Sequence, residues 1–270
     1  MTRIIQLSDI HMVDQGTLAY DVVDTAEYLA RAVSYIGDLL PNIGPVDGVV
    51  ITGDLTDHGR EQQYARLKEL LSPLDLPLCV LPGNHDDRDV MRASFPDQFR
   101  SPEHDRLNSH VQYGDVHVLA LDCLVSGKAH GFLTPETLDW LEKELALLGN
   151  EPAIIALHHP PFLTGIRHMD AQPLHNAQEL LQLIARHPGA KITICGHVHR
   201  YITSHQVCGP VMIGPSVAHA VSPDLTEDGA SQFCLEPGGF LLHSYDSSSK
   251  VFSSHYLPVG PYAGPFPFKF

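Results

Sequence analysis

Up to about residue 200 the chain alternates two hydrophobic patterns. Short runs that are apolar at nearly every position read as strands: RIIQLSD (Arg3–Asp9), VDGVVITGD (Val46–Asp54), LPLCVLPGN (Leu76–Asn84), AIIALHH (Ala153–His159) and KITICGH (Lys191–His197). Between them lie longer stretches whose apolar residues recur every three or four positions. DVVDTAEYLARAVSYIGDLL (Asp21–Leu40) sets Val22, Ala26, Leu29, Val33, Ile36 and Leu40 on one helical stripe, and REQQYARLKELL (Arg60–Leu71), TPETLDWLEKELALL (Thr134–Leu148) and LHNAQELLQLIARH (Leu174–His187) also read as helices. Strands apolar throughout need cover on both faces, so the alternation predicts an α/β chain with a largely parallel sheet and a site at the strand C-termini. HVQYGDVHVLALD (His110–Asp122) predicts a hairpin turning at Gly114–Asp115. After His199 the pattern changes to antiparallel strands and a Pro/Gly/aromatic-rich tail. No repeat and no long linker divides the chain. A single domain over 1–270 is expected, with 1–215 as catalytic core and 216–270 as a cap or oligomerisation segment.

The predicted parallel strands all end on residues that bind metals. In order these are Asp9 and His11, Asp54, Asn84 and His85, His158 and His159, then His197 and His199. Any one of them alone is an ordinary strand exit or turn. Together they offer oxygens from Asp9, Asp54 and Asn84 and imidazoles from His11, His158, His197 and His199. That exceeds the needs of one ion and fits two that share a carboxylate. Mixed His/Asp ligation without thiolate suits Fe, Mn, Zn or Co better than Ca or Mg. His159 follows a ligand on a strand and should face the other way, into the core or against the ligands. Cys195 reads as core; His58, His168 and His219 could line the pocket but read first as surface or loop histidines.

Composition narrows the partners. With 270 residues and 43% hydrophobic content the chain can bury a full core, while its formal charge of −15 disfavours a nucleic-acid polymer. An anionic substrate then requires a cation in the site. The 18 histidines outnumber the 17 lysines and arginines, in keeping with bound metal. Five cysteines (Cys79, Cys123, Cys195, Cys208, Cys234), odd in number and without C-x-x-C spacing, fit a reducing compartment. Neither a signal-like start nor a run of about 18 apolar residues is seen. A soluble cytoplasmic protein with no membrane partner is expected.

The series Asp9-x-His11, Gly53-Asp54, Gly83-Asn84-His85-Asp86, His158-x-Pro160 and Gly196-His197-x-His199 resembles the full signature of the calcineurin-like metallophosphoesterases, over residues from about 7 to 200. GNHDD, LHHPP and GPYAGP (Gly260–Pro265) are most similar to the bacterial glycerophosphodiesterase and class III cyclic-nucleotide phosphodiesterase branch. The resemblance implies a four-layer αββα sandwich of two mixed sheets. It implies one metal on Asp9, His11 and His199, a second on Asn84, His158 and His197, and Asp54 bridging. It further implies hydrolysis of small phosphodiesters by a hydroxide held on the metals, with His85 facing the substrate as proton donor and Asp86 orienting His85. A phosphomonoesterase or protein phosphatase is the alternative within the fold. A metal-free scaffold is disfavoured, because no ligand position is missing. Relatives in this branch use the C-terminal end for a cap or subunit contact, and the aromatic-rich stretch from Tyr262 to Phe270 would be costly to expose, so a homo-oligomer is expected.

Overall fold

The computed structural model describes residues 1–99 and 105–269. In chain order its first half runs β1 (Thr2–Leu7), α1 (Thr25–Ile43), β2 (Gly48–Ile51), α2 (Glu61–Leu71), β3 (Leu78–Val80), α3 (Arg88–Ser94), β4 (Ser109–Tyr113), β5 (Val116–Ala120) and α4 (Pro135–Leu148). The second half runs β6 (Ala153–Ala156), α5 (Arg167–Asp170), α6 (Ala177–Ala185), β7 (Lys191–Cys195), β8 (Ile202–Gln206), β9 (Gly209–Ile213), β10 (Ala220–Val221), β11 (Phe233–Cys234), β12 (Gly239–Asp246) and β13 (Val251–Pro258).

The apolar runs form two mixed sheets rather than one. The first has the order β13-β12-β1-β2-β3 and the second β4-β5-β6-β7-β9-β8. β1, β2 and β3 are mutually parallel, as are β5, β6, β7 and β9, while β12 runs antiparallel to β1. The continuous apolar character follows from cover on both faces. On β1, Ile5 and Leu7 pack under α1 and α2 with Leu29, Ile36 and Leu67, whereas Ile4 turns to the opposite sheet and meets Val118, Ile154 and Ile194. Helices α4 and α6 cover the far face of the second sheet through Leu141, Leu145, Leu180 and Ile184, with Cys195 among them as expected. The layers are therefore αββα.

One boundary differs from expectation. Asp24 caps α1 by accepting from the Glu27 amide at 3.0 Å, so the helix begins at Thr25 and Val22 lies outside it, exposed. The antiparallel strands expected after His199 include β12, which pairs with β1 from Thr2↔Tyr245 to Gln6↔Leu241 and so extends the first sheet. Buried Gln6 joins the sheets. Its amide donates to Thr52 Oγ1 (3.0 Å) and to Cys195 O (2.8 Å) across the interface, and its Oε1 accepts from His243 (3.0 Å).

Candidate metal centre

The loops that leave β1, β2, β3, β6 and β7 meet at one rim of the sandwich. Parallel pairing continues past the strand ends, with Asp9 N donating to Gly53 O (3.1 Å) and His11 N to Asp54 O (2.9 Å), which brings the first two motifs side by side. The second sheet is laced to them where His197 N donates to Asp9 Oδ1 at 2.9 Å. Asp9, His11, Asp54, His197 and His199 all adopt left-handed backbone, with φ between 47° and 73°. Such conformations cost non-glycine residues roughly 1–3 kcal/mol each and cluster at functional sites.

The packing allows no side chain just before Asp54 or Asn84. A Cβ on Gly53, where φ is +90°, would lie 2.4 Å from His158 Nδ1; one on Gly83 would lie 2.2 Å from Asp54 Oδ1. The Gly-Asp and Gly-Asn pairs in the sequence record this crowding.

Asp54 occupies the middle. Its Oδ2 is 3.4 Å from His11 Nε2 and 3.3 Å from His158 Nε2, and its Oδ1 accepts from the His85 amide at 2.9 Å. His11 Nε2 also faces His199 Nε2 at 3.2 Å, His199 Nε2 lies 3.5 Å from Asp9 Oδ1, and His158 Nε2 lies 3.1 Å from Asn84 Oδ1. The expected ligand residues Asp9, His11, Asp54, Asn84, His158 and His199 are thus linked by donor-atom contacts. His197 completes the group, with its ring 5.1 Å from that of His158.

The tautomers leave lone pairs facing inward. His158 Nδ1 donates to Thr52 O (2.8 Å) and His11 Nδ1 to the Asp57 carboxylate (3.1 Å), which frees both Nε2 atoms. At His158 that lone pair meets two acceptor oxygens, so a proton or a cation has to lie between them. Asp9 Oδ2, His197 Nε2 and His199 Nδ1 are buried without a partner. Spacings of 3.1–3.5 Å match the edges of a coordination polyhedron, about 3.0–3.4 Å for ligands roughly 2.0–2.2 Å from an ion. The residues fit transition-metal ions.

Electrostatics agree. Burial pushes His158 down, but Asp54 and Asp9 outweigh it and hold the imidazole up at about 9, so without a cation a proton stays there. Burial raises Asp9 to about 6 against the pull of His158. Burial also acts upward on Asp54, yet the surrounding His158, His85 and His11 keep it well below the carboxylate range. His197 and His199 are driven well down, chiefly by burial, and are neutral with lone pairs available.

Two expectations about neighbours are revised. Asp86 does not orient His85. Its carboxylate folds back on the loops, accepting from Leu55 N (3.1 Å), Thr56 N (3.1 Å), Gly83 N (3.0 Å), Thr56 Oγ1 (3.0 Å) and Tyr64 Oη (2.9 Å), because the Gly83–Asp86 turn aims it at the β2 exit. His85 instead places Nδ1 on Asp57 O at 3.1 Å, with the Asp57 carboxylate 3.7 Å away. His219 is no surface histidine: it is buried, its ring 4.5 Å from that of His199. His58 is exposed beside Asp57, as expected. His159 is buried with both nitrogens engaged, Nε2 on Ala129 O (2.9 Å) and Nδ1 on Cys123 Sγ (3.3 Å), so it packs against His197 rather than offering a lone pair.

Sequence reasoning passed over Asp57, whose signal was a further carboxylate three residues beyond Asp54 in the same loop, and Tyr20 and Phe233, which carried none. Tyr20, His219 and Phe233 form an aromatic wall with ring centroids 4.9–5.4 Å apart. It borders a cavity of about 340 Å³ into which His85, Asn84, His197 and His199 also face.

Residues 2–201 match the family model described as calcineurin-like phosphoesterase. The chain belongs to the calcineurin-like phosphoesterases. Within that family it is 34% identical over 266 residues (98% of this chain, 96% of the relative) to an Arcobacter nitrofigilis protein named "Probable glycerophosphodiester phosphodiesterase". It is 32% identical over 262 residues (96% and 95%) to a 3′,5′-cyclic-nucleotide phosphodiesterase of Nostoc sp.. Among solved structures a dimetal phosphatase from Danio rerio superposes with a TM-score of 0.64 over 96% of this chain and 99% of that one, at 13% identity, a likeness of fold.

Proposed function

We propose that this calcineurin-like phosphoesterase is a metal-dependent phosphodiesterase acting on small phosphodiesters, cyclic nucleotides or glycerophosphodiesters. Its two ions, drawn from Fe, Mn, Zn and Co, are held by Asp9, His11 and His199 on one side and Asn84, His158 and His197 on the other, with Asp54 shared. The observation that carries this reading is the convergence of carboxylate, amide and imidazole ligand atoms, spaced 3.1–3.5 Å from one another, about Asp54. When bound, the ions supply Lewis acidity to phosphoryl oxygens and make water a nucleophile at neutral pH. The chain's own groups do the rest. Asn84 and His85 lie at the cavity, and His85, with Nδ1 held by Asp57 O, turns Nε2 to the departing alkoxide and gives it a proton.

A diester fits the charge of the cavity. No lysine or arginine is among the described residues that line it, whereas a monoester, with nearly two negative charges, is usually met by added fixed cations. The relatives' names point the same way. The test is kcat/KM for bis(p-nitrophenyl) phosphate against p-nitrophenyl phosphate, with elemental analysis of the same protein. We expect the diester to be preferred and two ions per chain. A tenfold preference for the monoester, about 1.4 kcal/mol in transition-state stabilisation, overturns the diesterase. At most one ion after Mn or Fe loading ends the dinuclear centre.

Two wider readings accompany it. The cysteines are all free, which supports a reducing, cytoplasmic setting, and no described helix is long and apolar enough to cross a membrane. Tyr262, Phe266 and Phe268 are exposed on the tail, whose final Phe270 lies outside the described residues. Covering them supports a homo-oligomer, and a monomer mass by light scattering would refute it.

A further inference from the structure

Besides the aromatic wall, the cavity is lined by residues of different chemistry, which make a second wall. It is built from His168, Met169 and Gln172, on and just after α5, and from Ser231 and Gln232 before β11. This wall is held in place. Asp170 accepts from Thr164 N (2.7 Å), Thr164 Oγ1 (2.9 Å) and Gly165 N (2.8 Å), Arg167 pairs with Glu227 at 3.1 Å, and Gln172 Nε2 donates to His168 O at 3.3 Å. Within it, His168 Nδ1 is buried with no hydrogen-bond partner. Buried polar nitrogens are seldom left so; this one is closed off in the present rotamer while its residue lines the cavity, so a turn of the ring about χ2 has to accompany any contact it makes there.

We propose that His168 is a specificity-determining residue that hydrogen-bonds a hydroxyl of the substrate's alcohol portion. The enzyme thereby selects diesters of polyhydroxy alcohols over aryl or simple alkyl diesters. A hydroxyl both donates and accepts, and so satisfies an imidazole nitrogen in either tautomer. The other polar groups of this wall, Gln172, Ser231 and Gln232, are uncharged and equally able to donate and accept, which matches hydroxyls rather than a charged headgroup. Glycerol and ribose share this chemistry. The inference takes its substrates from the diesterase reading.

The experiment uses the metal-loaded protein and two variants. His168→Phe keeps a ring and removes its nitrogens; His168→Gln keeps a hydrogen-bonding group. Substrates are glycerophosphocholine and 3′,5′-cyclic AMP, which carry hydroxyls, against bis(p-nitrophenyl) phosphate, which carries none. In His168→Phe we expect KM for the hydroxyl-bearing substrate to rise roughly five- to tenfold at near-constant kcat, as for one lost uncharged hydrogen bond. The loss on bis(p-nitrophenyl) phosphate should be several-fold smaller, metal content should not change, and His168→Gln should recover most of the affinity. The substrate that suffers identifies glycerol or ribose as the source. Equal losses on both kinds of substrate, or no loss on either hydroxyl-bearing one, overturn the proposal. If the wild type prefers p-nitrophenyl phosphate, the diesterase reading fails by itself. Glycerol 3-phosphate against p-nitrophenyl phosphate then reads the fate of His168 separately.

Discussion

Asp57 faces three imidazoles at once: His11 Nδ1 at 3.1 Å, His58 Nδ1 at 3.3 Å and His85 Nδ1 at 3.7 Å. Only one of those three is a proposed ligand, so the carboxylate ties the metal cluster to the residue facing the substrate. Replacing Asp57 with Ala should weaken metal binding roughly 10–100-fold, the usual cost of losing a carboxylate behind a ligating histidine. Metal titration into the apo protein checks this. His85→Ala should retain both ions and lose roughly 10²–10⁴-fold in kcat; metal loss as large as in Asp57→Ala would place His85 among the ligands instead. At this scale the sequence was informative where ligand-type residues at strand exits are brought together by the fold, as with Asp9, His11 and His199. It was silent where the role depends on which way a loop turns. The family resemblance implied Asp86 as the partner of His85, but the tight turn that holds them points the two neighbouring side chains apart. His219 looked like a surface residue because nothing near it in sequence shows that the Ser216 hydroxyl is bound to Asp9 O at 2.7 Å, drawing its segment into the site.

Among elements, the strands and helices were legible because apolar cover dictates their pattern, yet that pattern alone did not give the number of sheets, which came from the motif resemblance. A strand such as β1, apolar on both faces, reads the same whether helices or a second sheet lie over it. Only Gln6, polar in the middle of that run, marks the face turned to the other sheet. The loops between elements carry the least redundancy. The β3 exit approaches the β2 exit so closely that a methyl on Gly83 would meet Asp54 N at 2.3 Å as well as its carboxylate. Gly83→Ala should therefore displace the Asp54 carboxylate, the proposed shared ligand, and lose metal and activity together, roughly 10²-fold or more in kcat/KM if even one kind of donor contact is lost. Circular dichroism should stay native, since β2 and β3 themselves are untouched. A fully active, metal-replete Gly83→Ala protein would show that the loops have slack that these distances deny.

Taken whole, the molecule carries a buried histidine outside the proposed ligand set whose titration reports on the sandwich itself. His243 is buried on β12, donating Nε2–H to Gln6 Oε1 and accepting at Nδ1 from Ser254 Oγ (2.7 Å) on β13; burial lowers it to about 3. Its unfolded value is near 6.5, so between these limits the unfolded chain binds a proton that the folded chain refuses. The contribution is intact above about pH 6.5 and is lost as pH falls toward 3, on the order of 2 kcal/mol by pH 5. Urea midpoints of metal-free protein at pH 7.5 and pH 5 should differ less in His243→Gln than in the wild type. An identical pH response would assign the acid sensitivity elsewhere.

The two sheets also divide the proposed ligands. Asp9, His11, Asp54 and Asn84 leave the strand ends of one sheet, and His158, His197 and His199 those of the other. Neither sheet holds a full set for either proposed ion, so metal loading and the closing of the rim between the sheets would be thermodynamically linked. Occupancy clamps the rim of the sandwich by mass action, and a chelator loosens that rim without touching the hydrophobic interface beneath it. In a cell short of metal, the chain would then expose the exits of β6 and β7 to proteolysis and exchange first, and metal supply would govern how long the protein lasts as well as how fast it works.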